Sequence, residues 1–89
     1  MAKEYTYQTK GTCSQLITFT LNDDNTLTNV SFKGGCHGNL QGVSRLVEGM
    51  SAEEVLKRCS GIRCGFKPTS CPDQLSCAVR EALADKENA

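Results

Sequence analysis

Neither sign of charge is in excess in this chain, and no apolar run approaches the roughly 18 residues that a bilayer crossing needs. Ten Lys plus Arg balance ten Asp plus Glu. With no basic stripe there is no electrostatic footprint for nucleic acid, and with no apolar span there is no expected membrane partner. The opening residues, Met-Ala-Lys-Glu-Tyr-Thr-Tyr, carry no apolar signal-peptide core. A cytoplasmic location, where thiols stay reduced, is the expectation. Histidine occurs once, and neither a Ser/His/Asp triad nor a working pair of carboxylates is visible. Gly-Gly-Cys-His-Gly lacks the lysine of a phosphate loop. No internal repeat and no linker is found. The 89 residues make one domain, residues 1–89, with an ordered core expected over about 5–84. A core this small is marginal without a staple.

What the chain does have is six cysteines. Four sit in corners marked by glycine or proline: Gly-Thr-Cys13, Gly-Gly-Cys36-His-Gly, Arg-Cys64-Gly and Thr-Ser-Cys71-Pro-Asp. A cysteine that only fills a core sits inside an apolar periodic run. One at the end of a strand or helix can point its sulfur into a shared space. Without an export signal, metal ligation accounts for the four better than disulfides do. Redox thiols are the other chemical reading.

The periodicity places these corners. Residues 5–9 alternate and are rich in β-formers, which predicts a strand. Residues 14–21 predict a second, with Cys13, Gln15, Ile17, Phe19 and Leu21 on one face and the last three buried. Asn22, Asp23, Asp24 and Asn25 form a turn by composition. Residues 27–33 are a third strand, with Val30 and Phe32 on one face. Gly34 and Gly35 end the sheet. Leu40, Val43, Val47 and Met50 then recur at helical spacing, and Gly49 ends that helix. Ser51 with Glu54 is a capping box that opens a second helix, and Gly61 suits its C′ position. Residues 62–70 form a loop holding Cys64, Gly65 and Pro68. Cys71, Pro72 and Asp73 open a third helix with stripe Leu75, Ala78, Val79, Ala82 and Leu83. From Asp85 onward a polar, fraying tail is expected.

Cys36 and Cys71 each precede a helix, where unsatisfied amides and the helix dipole favour a thiolate, the form that binds soft metals. Cys13 enters from a strand end on the core side. Cys64, seven positions before Cys71, could close a four-sulfur site. Gly34, Gly35, Gly38 and Gly65 would let the backbone approach, and their amides could hydrogen-bond cluster sulfurs. No Cys-x-x-Cys pair occurs, so the spacing is not that of a zinc ribbon. His37 is either a fourth ligand or proton carrier, or a surface hydrogen-bonding residue. Cys59, one turn after Leu56 at a helix end, reads as a packing residue. Cys77 is off the apolar stripe and reads as incidental and exposed. Asp73 and Glu48 read as helix cap and surface. Arg63 and Lys67 flank Cys64.

Thr69-Ser70-Cys71-Pro72-Asp73 is the string for which the TSCPD domain is named. Gly11-Thr12-Cys13-Ser14, Gly34-Gly35-Cys36-His37-Gly38-Asn39-Leu40, Leu46-Val47-Glu48-Gly49-Met50 and Gly61-Ile62-Arg63-Cys64-Gly65 resemble short stand-alone members of that family, over about residues 5–84. A similar domain occurs at the C-terminal end of some adenosylcobalamin-dependent ribonucleotide reductases. The resemblance therefore implies metal binding or redox delivery, with ribonucleotide reductase as an implied partner. The order of elements more distantly resembles the IscU/NifU iron–sulfur scaffold, with Cys13, Cys36 and Cys71 matching its three cysteines in order and context. Gln15 stands where the scaffold has aspartate and Ser70 where it has histidine. The scaffold's Leu-Pro-Pro-Val-Lys stretch is missing. That likeness implies an iron–sulfur assembly component as a partner.

The expectation is an α+β domain, a three-stranded antiparallel sheet followed by three helices, IscU/NifU-like. Its expected function is metal binding, with zinc or an iron–sulfur cluster on Cys13, Cys36, Cys64 and Cys71, and His37 as a further candidate ligand. The alternatives are a redox accessory of ribonucleotide reduction, with Cys64 and Cys71 as a dithiol, and a metal-free interaction module.

Overall fold

Three strands followed by three helices build the molecule: β1 (Lys3–Gln8), β2 (Ser14–Leu21), β3 (Leu27–Gly34), α1 (His37–Val47), α2 (Ala52–Cys59) and α3 (Cys71–Glu87). The computed structural model describes residues 2–12, 14–35 and 37–88. The strands form one antiparallel sheet in the order β1-β2-β3. The expected α+β architecture is therefore the observed one.

Alternation along β2 decides which face is buried. Ile17, Phe19 and Leu21 are fully or almost fully buried. Across the sheet Ile17 pairs with Tyr7 and Phe32, Phe19 with Tyr5, and Leu21 with Leu27. The Tyr5 and Phe19 rings stack at 5.8 Å between centroids. The helices close over this face. Val47, Ala52, Val55, Cys59, Leu75, Ala78, Val79 and Ala82 join Ile17, Phe19, Leu21, Leu27 and Val30 in one core. Each buried Leu, Ile, Val or Phe side chain contributes about 1.5–3 kcal/mol by leaving water.

The connections follow the residues expected to make them. In the β2–β3 turn Asp24 accepts from the Thr26 amide at 3.1 Å and its hydroxyl at 2.7 Å. Asn25 takes the left-handed conformation there, φ 63°, which asparagine tolerates. Gly34 and Gly35 both have positive φ, and the chain turns on them from β3 into α1. Ser51 caps α2 by accepting from the Glu54 amide at 3.2 Å. The Glu54 carboxylate, however, pairs with Arg58 one turn on, at 2.6 Å, so the cap is made in one direction only. Gly61, just past α2, has φ 82°, as a C′ residue should.

Two features depart from the sequence reading. Asn29 is also left-handed, φ 56°. It sits where the β2–β3 register shifts, with Thr20 opposite Thr28 but Thr18 opposite Ser31. This bulge turns the amides of Asn29 and Val30 toward the Glu48 carboxylate, at 3.0 and 3.4 Å, so Glu48 closes part of the sheet's edge. The second departure is the end of the chain. The polar residues after Leu83 continue α3 to Glu87. Asp85 accepts from Lys3 Nζ at 3.0 Å and Tyr5 Oη at 2.9 Å. Lys86 Nζ donates to the carbonyls of Asn22 and Asp23 and to Asn25 Oδ1, the last at 2.6 Å. A polar tail stays helical because its charges find partners across the fold.

Candidate thiol site

The start of α3 is held by a dense set of hydrogen bonds. Ser70 is its N-cap, with extended backbone (φ −149°, ψ 172°) and an Oγ that accepts from the Asp73 amide at 3.2 Å. Cys71 and Pro72 follow in the first turn, where proline's missing amide costs nothing. Asp73 does more than face the helix dipole. Its Oδ2 accepts from Thr69 Oγ1 at 2.5 Å, and its Oδ1 accepts from the Gly61 amide at 2.7 Å. The Thr69 hydroxyl first, and then the Gly61 amide, hold its carboxyl below the usual carboxylate range.

Thr69 is the hub. It is buried, and as its hydroxyl donates to Asp73 it accepts from Gln74 Nε2 at 3.0 Å. Buried Gln74 reaches on with Oε1 to the Lys10 amide, 3.0 Å, in the β1–β2 turn. Gly11 of that turn passes so close that a Cβ on it would lie 3.2 Å from Thr69 Cγ2. The Thr69 carbonyl accepts from the Cys64 amide at 3.1 Å, and the Cys64 carbonyl accepts from the Lys67 amide at 3.0 Å. Thr69 and Gln74 therefore join three segments: the loop carrying Cys64, the helix start carrying Cys71, and the turn that leads into Cys13.

These segments surround a cavity of about 280 Å³. Cys64 and Cys71 both line it, with Thr12 from the β1–β2 turn and Asn39 and Leu40 from the first turn of α1. Ile62 and Pro72 add apolar wall, and Arg63 and Lys67 bring two cations to it. Cys71 is buried, 8% exposed, whereas Cys64 is exposed. The other two expected ligands, Cys13 and Cys36, lie outside the described residues, as does the side chain of His37, which opens α1. Thr12 precedes Cys13, and Asn39 follows Cys36 by three positions. Among the described residues no three His, Cys, Asp or Glu side chains gather into a metal-holding group.

The remaining cysteines divide as their periodicity predicts, with one adjustment. Cys59 is in the core, and burial pushes its thiol up, which leaves it a poor ligand and a fair packing residue. Cys77 is half-buried rather than exposed. Gly38 has open space around it, and Gly65 is needed for its positive φ, 59°, in the turn after Cys64. Gln74 was not singled out by the sequence, and Thr69 only as part of the TSCPD string. Glutamine in a helix's second turn carries no signal of its own, since its partners are a loop and a hairpin distant in the chain.

A family model, the TSCPD domain, matches residues 2–83, nearly the whole chain. No curated protein and no solved structure matches it. Among the described residues no helix is long and apolar enough to cross a membrane.

Proposed function

The chain belongs to the TSCPD domain family, and from that premise we propose that it is a small metal-binding module whose thiolates hold zinc or an iron–sulfur cluster. The observation that carries this reading is the meeting of Cys64 and Cys71, from a loop and a helix start, in the wall of one cavity. The same wall includes Thr12, next to Cys13 in sequence, and Asn39, three positions after Cys36. Cys71 would be the inner ligand and Cys64 the outer one, with Cys13 and Cys36 completing a four-sulfur set and His37 as the alternative fourth. Soft thiolates suit both metals. Arg63 and Lys67 at the wall would offset part of the negative charge that four thiolates bring. The bound metal would supply charge and cross-linking for a small core; this chain's part is to hold the sulfurs at fixed spacing through Thr69, Asp73 and Gln74.

The test is elemental analysis and a visible spectrum of anaerobically purified protein. About one zinc per chain, or sulfide with iron and a charge-transfer band, is expected. Cys71→Ser and Cys64→Ser lower the metal content, whereas Cys59→Ala leaves it unchanged and costs roughly 1 kcal/mol of packing. Metal-free wild-type protein would overturn the reading.

One observation favours a second reading. An exposed and a buried cysteine lining one cavity suit a dithiol that gives two electrons and two protons to a disulfide on a partner such as ribonucleotide reductase. A Cys64–Cys71 disulfide that forms on oxidation and is reduced by thioredoxin, in metal-free protein, would select it. Interaction without metal or redox change is the third possibility, and an inert, metal-free protein would leave it standing.

A further inference from the structure

The outer edge of β3 is treated differently along its length. Its first half is closed by the chain itself. Leu27 donates its amide to the Met50 carbonyl at 2.9 Å and accepts from the Gly49 amide at 2.6 Å. The amides of Asn29 and Val30 end on the Glu48 carboxylate. The second half has no such cover among the described residues. Strand backbone groups alternate in direction, so Phe32, two residues beyond Val30, presents its amide and carbonyl on the same outward side. No described group bonds them there.

That open half borders a groove of about 380 Å³, walled on the other side by α1 through Leu40, Gln41, Ser44 and Arg45. Gln41, Ser44 and Arg45 fall three and four positions apart, hence on one helix face. Ser44 Oγ is occupied with the Leu40 carbonyl at 2.8 Å. Arg45 has neither an ion pair nor a hydrogen bond among the described residues, although it lines the groove. An unsatisfied strand edge beside a lone guanidinium defines complementary chemistry. The ligand must offer main-chain donors and acceptors along a strand and a carboxylate to one side.

We infer that the groove between β3 and α1 binds an extended, acidic segment of a partner protein as a fourth strand. The segment pairs through its main chain with Phe32 and places a Glu or Asp side chain on Arg45. Main-chain pairing supplies affinity, and the side chain spaced by the strand's period of two supplies selectivity. A bidentate carboxylate on arginine adds direction as well as energy. Self-pairing of β3 edges is disfavoured by Arg45, because a second copy would bring another cation and no carboxylate to the groove. The inference does not depend on metal in the thiol cavity.

Two capped hexapeptides that alternate valine with glutamate or valine with lysine test it, titrated into ¹⁵N-labelled wild-type protein. The glutamate peptide is expected to shift the amides of Phe32, Gly34 and Arg45 and to bind about tenfold or more tightly than the lysine peptide. Arg45→Glu, on an exposed helix position, should reverse that preference with an unchanged circular dichroism spectrum. N-methylating alternate amides of the glutamate peptide should abolish binding in one of the two registers. Shifts absent at millimolar peptide, equal for both peptides, or untouched by Arg45→Glu would overturn the inference. So would concentration-dependent shifts of these amides without peptide, which would assign the groove to a second copy of the chain.

Discussion

Helix α3 is tied to the sheet at both ends, and by different means. At its first turn the ties centre on two buried side chains, Thr69 and Gln74, which bond each other, Asp73 and the Lys10 amide, with an exposed bond from the Gly61 amide to Asp73 at the rim. At its last turn they rest on charged side chains: Asp85 meets Lys3 and Tyr5 in the open, and Lys86 reaches, partly buried, to the neutral oxygens of the β2–β3 turn. Lys3 and Asp85 side chains are more than half exposed. A buried network fails expensively, because the loss of one member strands another away from water. An exposed ion pair loses little, since water replaces the partner and salt screens the charge. The thiol cavity stands at the end with the costly network, so its geometry is the more firmly held.

The largest effect should come from Thr69→Val, which keeps shape and deletes the hydroxyl. It leaves Gln74 Nε2 without its acceptor and Asp73 without its shortest donor, at a cost of roughly 2–3 kcal/mol. Urea denaturation followed by circular dichroism reads it, and a change below about 0.5 kcal/mol would erase the contrast between the two ends. The same substitution should loosen the Cys64 loop, seen as faster amide exchange at Cys64, whose partner is the Thr69 carbonyl.

Acid should act next, and unequally. The folded-state carboxyl of Asp73 is depressed by the Thr69 hydroxyl and the Gly61 amide, and that of Asp85 by Lys3 and then Tyr5. A depressed carboxyl stabilises the fold above its unfolded value, near 4, and the contribution disappears as pH falls through the folded value. Stability is therefore flat from neutrality down to about pH 5 as far as these two groups are concerned, and falls below about pH 4. Asp73→Asn should flatten that acid limb measurably; Asp85→Asn should flatten it less, because both its ties are exposed whereas the Thr69–Asp73 bond is partly buried. Urea midpoints at several pH values test the order, and a larger change for Asp85→Asn would reverse it.

The smallest effect is expected from Asp85→Asn at neutral pH, with an unfolding midpoint close to that of wild type and a remaining difference that vanishes in 1 M salt (screening length about 3 Å). A loss that persists in salt would mean the far end is held by packing around Tyr5 and not by charge.

The same contrast explains what could be read from the chain. Local signals carried well. The period of two in Ile17, Phe19 and Leu21, the turn at Asp24 and Asn25, the cap at Ser51 and the helix start at Pro72 all depend on neighbours within a few residues. Grouping Cys64 with Cys71 also needed only the loop between them. Pairings between distant segments did not carry. Gln74 meets Lys10 across 64 positions, and Lys86 meets Asn25 across 61. A polar side chain looks the same in sequence whether it ends on water or on a distant amide. That is why Glu48 reads as surface although it closes the edge of β3, and why Asp85 and Lys86 read as a fraying tail although they hold the helix. Asn29's left-handed turn was hidden for a related reason. Within an alternating strand nothing local marks the extra residue of a bulge.

The contact between Lys3 and Asp85 at 3.0 Å brings residues from the two ends of the chain side by side. Asp85 follows Cys71 by 14 positions along α3, a rise of about 21 Å. Joined at either end to a larger protein, or spliced whole into a host loop, this domain would be tethered at one pole and would carry its thiol cavity at the other. The cavity would then point away from whatever anchors the domain.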